Sequence, residues 1–275
     1  MKKFFLVLLL GIALIPIGKP TQAGELDRFK GMSGTINIAG GTAHIPVLKD
    51  AVKRVMSFNP KIKITIAGGG SGVGIQKVGE GLVDIGNSGR KPKDTEIKKY
   101  DLKLFPWALD GVAVVLNKEN KISSFRSSQV QDIYSGKITN WRDVEGNDAT
   151  INLYTRDEAS GTRAVFWKKM LKKGNVSSKA NVVPSNGAMK VAVANDPNAI
   201  GYISIGHIDE TVKAPIVDGV KPSQETALNG EYKVVRKLYS NTKGEPKPLV
   251  KAFIDYIMGP EGEKIIKKHN FIPIQ

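Results

Sequence analysis

The stretch Tyr154-Thr-Arg-Asp-Glu-Ala-Ser-Gly-Thr-Arg163 is the part of this sequence best suited to holding an anion. An apolar run, Ile151 to Tyr154, leads into Arg156. A turn follows, and Ser160-Gly161-Thr162 then opens an amphipathic segment reaching Leu171. That order predicts strand, loop and helix N-terminus. Unpaired N–H groups and the positive end of a helix dipole favour negative charge there. Two hydroxyls, a glycine permitting close backbone approach and a guanidinium add donors and charge. The ordinary reading of an isolated Ser-Gly-Thr is a serine N-cap. Other turns of the chain repeat the theme.

Gly40-Gly41-Thr42-Ala43 joins an expected first strand (35–39) to an expected helix (45–58). Gly68 to Gly74, with Ser71 inside it, follows a second strand (61–67) and precedes a short helix (74–80). Gly86-Asn87-Ser88-Gly89-Arg90 follows a third strand (83–86). Trp107-Ala108-Leu109-Asp110-Gly111 sits as a turn between two β-type runs, 102–108 and 112–116. In an open α/β sheet the carboxyl-end turns of parallel strands share one rim, so Thr42, Ser71 and Ser88 can converge on one anion. Singly, each Gly-rich turn is only a turn.

Catalytic alternatives fail on the residues. The glycines run into Val73-Gly74-Ile75-Gln76, which lacks the Gly-Lys-Ser/Thr of a phosphate-binding P-loop, and Ile75 stands where a dinucleotide fingerprint needs glycine. Ser71 and Ser88 lack a nucleophile-elbow context. His44, His207 and His269 have no metal-ligand spacing, and His44 reads as a surface residue at a helix start. Asp84 and Asp110 make an acid–base pair only if the fold joins them. The expectation is a protein without catalysis, metal or cofactor.

The positioning elements alternate strand and helix throughout, an α/β pattern. The second half adds helices at 129–135, 161–171 and 187–194, strands at 151–154, 182–183 and 200–205, a β-type run at 232–239, and two Pro-initiated helices, 248–258 and 260–268. Length predicts two lobes. At the N-terminus, Met-Lys-Lys, an apolar run from Phe4 to Ile17 and small residues up to Ala23 read as a secretory signal peptide, 1–23. No cysteine is present, so stability must come from the core. Formal net charge is +15, or about +12 without the leader lysines, but the basic residues are dispersed as solvated helix faces. Dispersal and export together argue against nucleic acid.

Taken in order, Gly41-Thr42, Gly69-Gly70-Ser71-Gly72, Asp84-Ile85-Gly86-x-Ser88-x-Arg90, Asp110-Gly111-Val112-Ala113-Val114, Ile138-Thr139-Asn140-Trp141, Arg156-x-x-x-Ser160-Gly161-Thr162, Gly201-Tyr202 and Phe271-Ile272-Pro273 resemble the substrate-binding proteins of bacterial phosphate ABC transporters. The resemblance covers nearly the whole chain after the leader. It implies a two-lobed periplasmic binding protein fold (type II) with phosphate buried in the interlobe cleft. Lobe I would hold 25–114 plus 237–275 and lobe II 115–236, with hinge strands near 112–116 and 234–239. By carry-over, Thr42, Ala43, Ser71, Asp110, Arg156, Ser160, Gly161 and Thr162 contact phosphate, Ala43 and Gly161 through backbone N–H, and Ser88 joins them. Gly89 departs from the serine often found at its position. The implied role is capture of inorganic phosphate in the periplasm by a monomer that delivers it to permease subunits in the inner membrane. Within that picture Asp110 accepts a hydrogen bond from the P–OH group that hydrogen phosphate carries and sulfate lacks, so Asp110→Asn would erode phosphate-over-sulfate preference. Alternatives left open are a receptor for sulfate, molybdate or phosphonate, a surface phosphate scavenger or sensor, and a secreted phosphatase.

Overall fold

A computed structural model describes residues 22–274, and the expected leader lies outside them apart from Gln22 and Ala23. The strands in chain order are β1 (Gly34–Gly40), β2 (Ile62–Gly69), β3 (Ile85–Ser88), β4 (Leu102–Asn117), β5 (Ser124–Phe125), β6 (Asn152–Arg156), β7 (Asn181–Val183), β8 (Ala199–Ser204), β9 (Val212–Lys213), β10 (Ile216–Val217), β11 (Val235–Lys243) and β12 (Ile272–Pro273). The main sheet runs β2-β1-β3-β11-β4-β8-β6-β7. Its two ends are parallel, as helix crossovers require, and its middle is antiparallel.

Two hydrophobic cores flank this middle. One gathers Ile36, Ile38, Val47, Trp107, Leu238, Phe253 and Phe271, and the other Val112, Tyr134, Trp141, Phe166, Tyr202 and Val234. Helix Ile45–Phe58 shows how the first is built: Pro46 occupies its first turn, and Val47, Leu48, Ala51 and Val55, at helical spacing, are all buried. Each of the valines and Leu48 contributes roughly 1.5–3 kcal/mol of burial.

β4 is a single strand of 16 residues rather than two strands and a turn. From Leu102 to Gly111 it pairs with β11, and from Val112 to Leu116 with β8, so one uninterrupted strand belongs to both cores. Asp110-Gly111 therefore lies in extended backbone. Gly111 allows close packing, since a Cβ there would stand 2.3 Å from Ile205 Cδ1. The Gly-rich turn is also shorter than expected. Gly69 (φ 117°) turns the chain directly out of β2, and the helix starts at Gly70.

Candidate functional site

The carboxyl ends of β1, β2, β3 and β6 deliver their turns to one small polar cavity. Its wall comprises Gly41, Thr42, Ala43, His44, Gly70, Ser71 and Gly89 from the first lobe, Arg156, Ser160, Gly161 and Thr162 from the second, and Arg236 from β11. Seven of the expected residues thus stand together: Thr42, Ala43, Ser71, Arg156, Ser160, Gly161 and Thr162. Among the described residues, no carboxylate lines the wall.

The hydroxyls are oriented by their neighbours. Ser71 Oγ accepts from Gly89 N–H at 2.9 Å, and Ser160 Oγ caps its helix by accepting from Arg163 N–H at 3.2 Å. Thr42 Oγ1 accepts from Asn186 N–H (3.2 Å) and Nδ2–H (3.0 Å). Thr162 Oγ1 accepts from Arg236 Nη1–H at 3.0 Å. A hydroxyl whose oxygen already accepts keeps its proton to donate. Four such hydroxyls on one wall make a set of convergent donors. Ser160 thus does two things at once: it caps its helix, and it lines the cavity.

Arg156 supplies the charge. It is 2 % exposed; its Nη2 donates to Pro184 O at 2.9 Å, while Nε and Nη1 meet no acceptor among the described residues. Tyr202 fixes its backbone, its hydroxyl accepting from Arg156 N–H at 3.1 Å, with the ring stacked on Phe166. Burial pulls the guanidinium below its ordinary pKa, Asp157 opposes that, and the like charge of Arg236 adds to it. A bound anion reverses both unfavourable effects.

Two expected contacts are not on the wall. Ser88 is fully buried behind it, where its Oγ accepts from Asn241 Nδ2 at 3.0 Å. Asp110, also buried, gives Oδ2 to Arg236 Nε–H at 2.8 Å and Oδ1 to the Ser204 hydroxyl at 2.8 Å. Burial pushes its carboxyl pKa up, against the pull of Arg236, Ser204 and the Ile205 N–H. Asp110 is therefore a partner of Arg236, because the strand that carries it faces β11. Asp84 accepts from Asn37 N–H at 2.9 Å instead of pairing with Asp110. Arg90 grips Glu96 with two 2.7 Å bonds.

Arg236 and Asn186 were not singled out by sequence, and His44 was read there as a surface residue. Asn186, fully buried, bridges Thr42 and Thr162 while its Oδ1 accepts from Ser204 N–H at 3.0 Å. Its Ser185 N-cap was the available signal. His44 is fully buried, not a surface residue: Nδ1 lies 3.0 Å from Gly41 O and the ring packs edge-on against Trp107. Burial and then Arg236 hold its pKa down to about 3, and burial takes His207 to about 4. Both values lie below the unfolded-state value near 6.5, so the unfolded chain binds the extra protons. Their stabilisation is complete above pH 6.5 and is lost as pH falls toward 3–4. Urea unfolding should show a fall of roughly 2 kcal/mol from His44 alone between pH 7 and 5. His44→Gln should roughly halve the measured slope, leaving the share of His207; an unchanged slope would show that His44 protonates freely in the fold.

The lobes touch directly across the cavity. Gly72 N–H donates to Ala159 O at 2.9 Å, and Asn186 reaches Thr42. A Cβ on Gly161 would stand 2.1 Å from Ser71 Oγ, so only glycine lets the lobes meet this closely. The cleft is closed.

A donor-walled cavity sealed between two α/β lobes joined by shared strands defines a solute-binding protein of the two-lobed type II fold. Residues 30–261 match the PBP superfamily domain. The phosphate-binding protein PstS of Bacillus subtilis (strain 168) is 33% identical over 283 residues, covering 99% of this chain and 94% of its own. PstS of Borreliella burgdorferi is 28% identical, covering 87% and 90%. A crystal structure from Clostridium perfringens, described as a phosphate ABC transporter substrate-binding protein with bound phosphate, superposes with TM-score 0.83 at 35% identity, covering 88% of this chain and 100% of that one. An ABC-type phosphate transport receptor from Vibrio cholerae gives TM-score 0.69 at 30% identity, covering 86% and 99%. The chain belongs to the family of substrate-binding proteins of bacterial phosphate ABC transporters, which are binding proteins and not enzymes.

Proposed function

We propose that this protein captures inorganic phosphate by closing two lobes over it and presents the closed form to the permease subunits of an ABC importer in the inner membrane. The observation that carries this reading is the wall itself. Four hydroxyl donors and the unpartnered Nε–H and Nη1–H groups of a buried guanidinium belong to one cavity, with no carboxylate among its described lining residues to repel an anion. Closure replaces the water shell of the ion with fixed donors, so recognition needs no chemistry. Thr42, Ala43, Ser71, Arg156, Ser160, Gly161 and Thr162 form the binding set, Ala43 and Gly161 through their N–H groups. Residues 25–114 plus 237–275 make lobe I, and 115–236 lobe II. Residues 1–23 direct export, and the mature protein acts as a monomer in the periplasm, without cofactor and without nucleic acid.

Calorimetric titration of the mature protein, freed of bound anion, tests the reading. Phosphate should bind one-to-one. Sulfate belongs in the same experiment, because Asp110 is turned onto Arg236 rather than toward the cavity. Equal binding of both would make this a general oxyanion receptor, and binding of neither would overturn the proposal.

A further inference from the structure

Arg236 stands directly opposite Asp110 in the β11–β4 register, with its side chain almost wholly buried. Its guanidinium has three kinds of partner. Nε–H donates to Asp110 Oδ2 at 2.8 Å, and Nη2 lies 2.8 Å from the same oxygen without the alignment of a hydrogen bond. Nη1–H reaches Gly89 O at 3.3 Å in the first lobe and Thr162 Oγ1 at 3.0 Å in the second. One planar fork thus ties a lobe-crossing strand to both sides of the cleft, and it lines the cavity beside Arg156. A lysine ammonium, a point charge on a flexible stem, has no rigid fork with which to hold these partners at once.

We infer that Arg236 is a second arginine of the anion site and the latch of its closed state, with Asp110 as its anchor. By donating to Thr162 Oγ1, Arg236 leaves the threonine proton to point at the bound anion. Because Thr162 and Gly89 come from opposite lobes, that grip forms only when the cleft shuts. Asp110 acts on the ligand through Arg236. It cancels one of two like charges facing a small cavity, and it sets the angle of the fork. Asp110 is then a positioning residue, and discrimination between phosphate and sulfate does not pass through its carboxylate. This inference rests on the phosphate reading above.

The test compares wild type, Arg236→Lys, Asp110→Asn and the double variant Asp110→Asn/Arg236→Met. Phosphate and sulfate affinities come from calorimetry, release rates from stopped-flow, and ligand-induced compaction from small-angle X-ray scattering. The double variant removes both charges of the Asp110–Arg236 pair and strands neither, so it keeps the experiment informative where a single variant folds poorly. Arg236→Lys should weaken phosphate binding about 10–100-fold, mostly through faster release, and reduce compaction. Asp110→Asn should weaken phosphate and sulfate by the same factor, and the double variant should lose no more than the worse single one. Wild-type affinity and release in Arg236→Lys would overturn the latch. So would a phosphate-to-sulfate ratio that collapses in Asp110→Asn alone, since that would put the carboxylate on the ligand. A wild type that binds no phosphate would instead overturn the reading beneath the proposal, and the proposal with it.

Discussion

Arg156→Ala is expected to lower phosphate affinity by roughly 10²–10³-fold, the usual consequence of removing one partner from a buried, hydrogen-bonded charge contact. The guanidinium is poised for that contact. Tyr202 fixes its backbone and Pro184 O takes one terminal nitrogen, while Nε and Nη1 have no acceptor among the described residues. These two nitrogens, on opposite sides of the rigid plane, keep N–H groups that can each donate to an oxygen of a tetrahedral anion. The unliganded protein should tolerate the change well. Burial and Arg236 both disfavour the Arg156 charge, so its removal relieves a cost even as the bond to Pro184 O is lost. A melting temperature within a few degrees of wild type, together with the large affinity loss in calorimetry, would separate ligand binding from folding. Retained affinity would remove Arg156 from the site.

Gly161→Ala should be nearly as damaging for a different reason. The added methyl would sit 2.1 Å from Ser71 Oγ and 3.1 Å from Gly89 C, atoms of the opposite lobe. Closure then requires a backbone shift, an overpacking cost of about 1–3 kcal/mol that reads as up to about 100-fold in affinity. The open state has no such clash, so the variant should fold normally and stay expanded when phosphate is added. Scattering measurements with and without phosphate decide this: ligand-induced compaction equal to wild type would show that Gly161 is not a contact point of closure.

Much of the site was legible because its signals are local. Arg156-x-x-x-Ser160-Gly161-Thr162 encodes strand end, turn and helix start within a few residues, and Thr42 and Ser71 sit in turns whose strand–turn–helix order is visible in the sequence. Arg236 carries no such signal. It is one basic residue among 41, and its partners Asp110, Gly89 and Thr162 are 126, 147 and 74 residues away. Asp110-Gly111 was misread for a related reason. An Asp-Gly pair favours turns locally, and here strands arriving from residues 200–204 and 235–243 override that preference. His44 looked exposed at a helix start because the aromatic lid over it, Trp107, comes from another strand. The two-lobed expectation survived these local errors because apolar periodicity in helices such as Ile45–Phe58 is a property of each segment alone.

The division of β4 between two cores carries a consequence for how the chain is made. The second core draws its buried residues from Val112 to Val234, one continuous stretch. The first needs Leu238, Phe253, Ile265 and Phe271 from the far end of the chain to complete what Phe29 to Ala108 begin. A chain emerging from its N-terminus can therefore finish the inserted domain early, while the outer one waits for β11 and the stretch up to Phe271. Until β11 arrives, β3 and the first half of β4 are unpaired edges with exposed ladder groups. For a protein with this topology, the vulnerable interval of biogenesis is the one before β11 and the helices after it emerge, and those helices act as the closing stitch of a domain whose strands β1 to β3 were made far earlier.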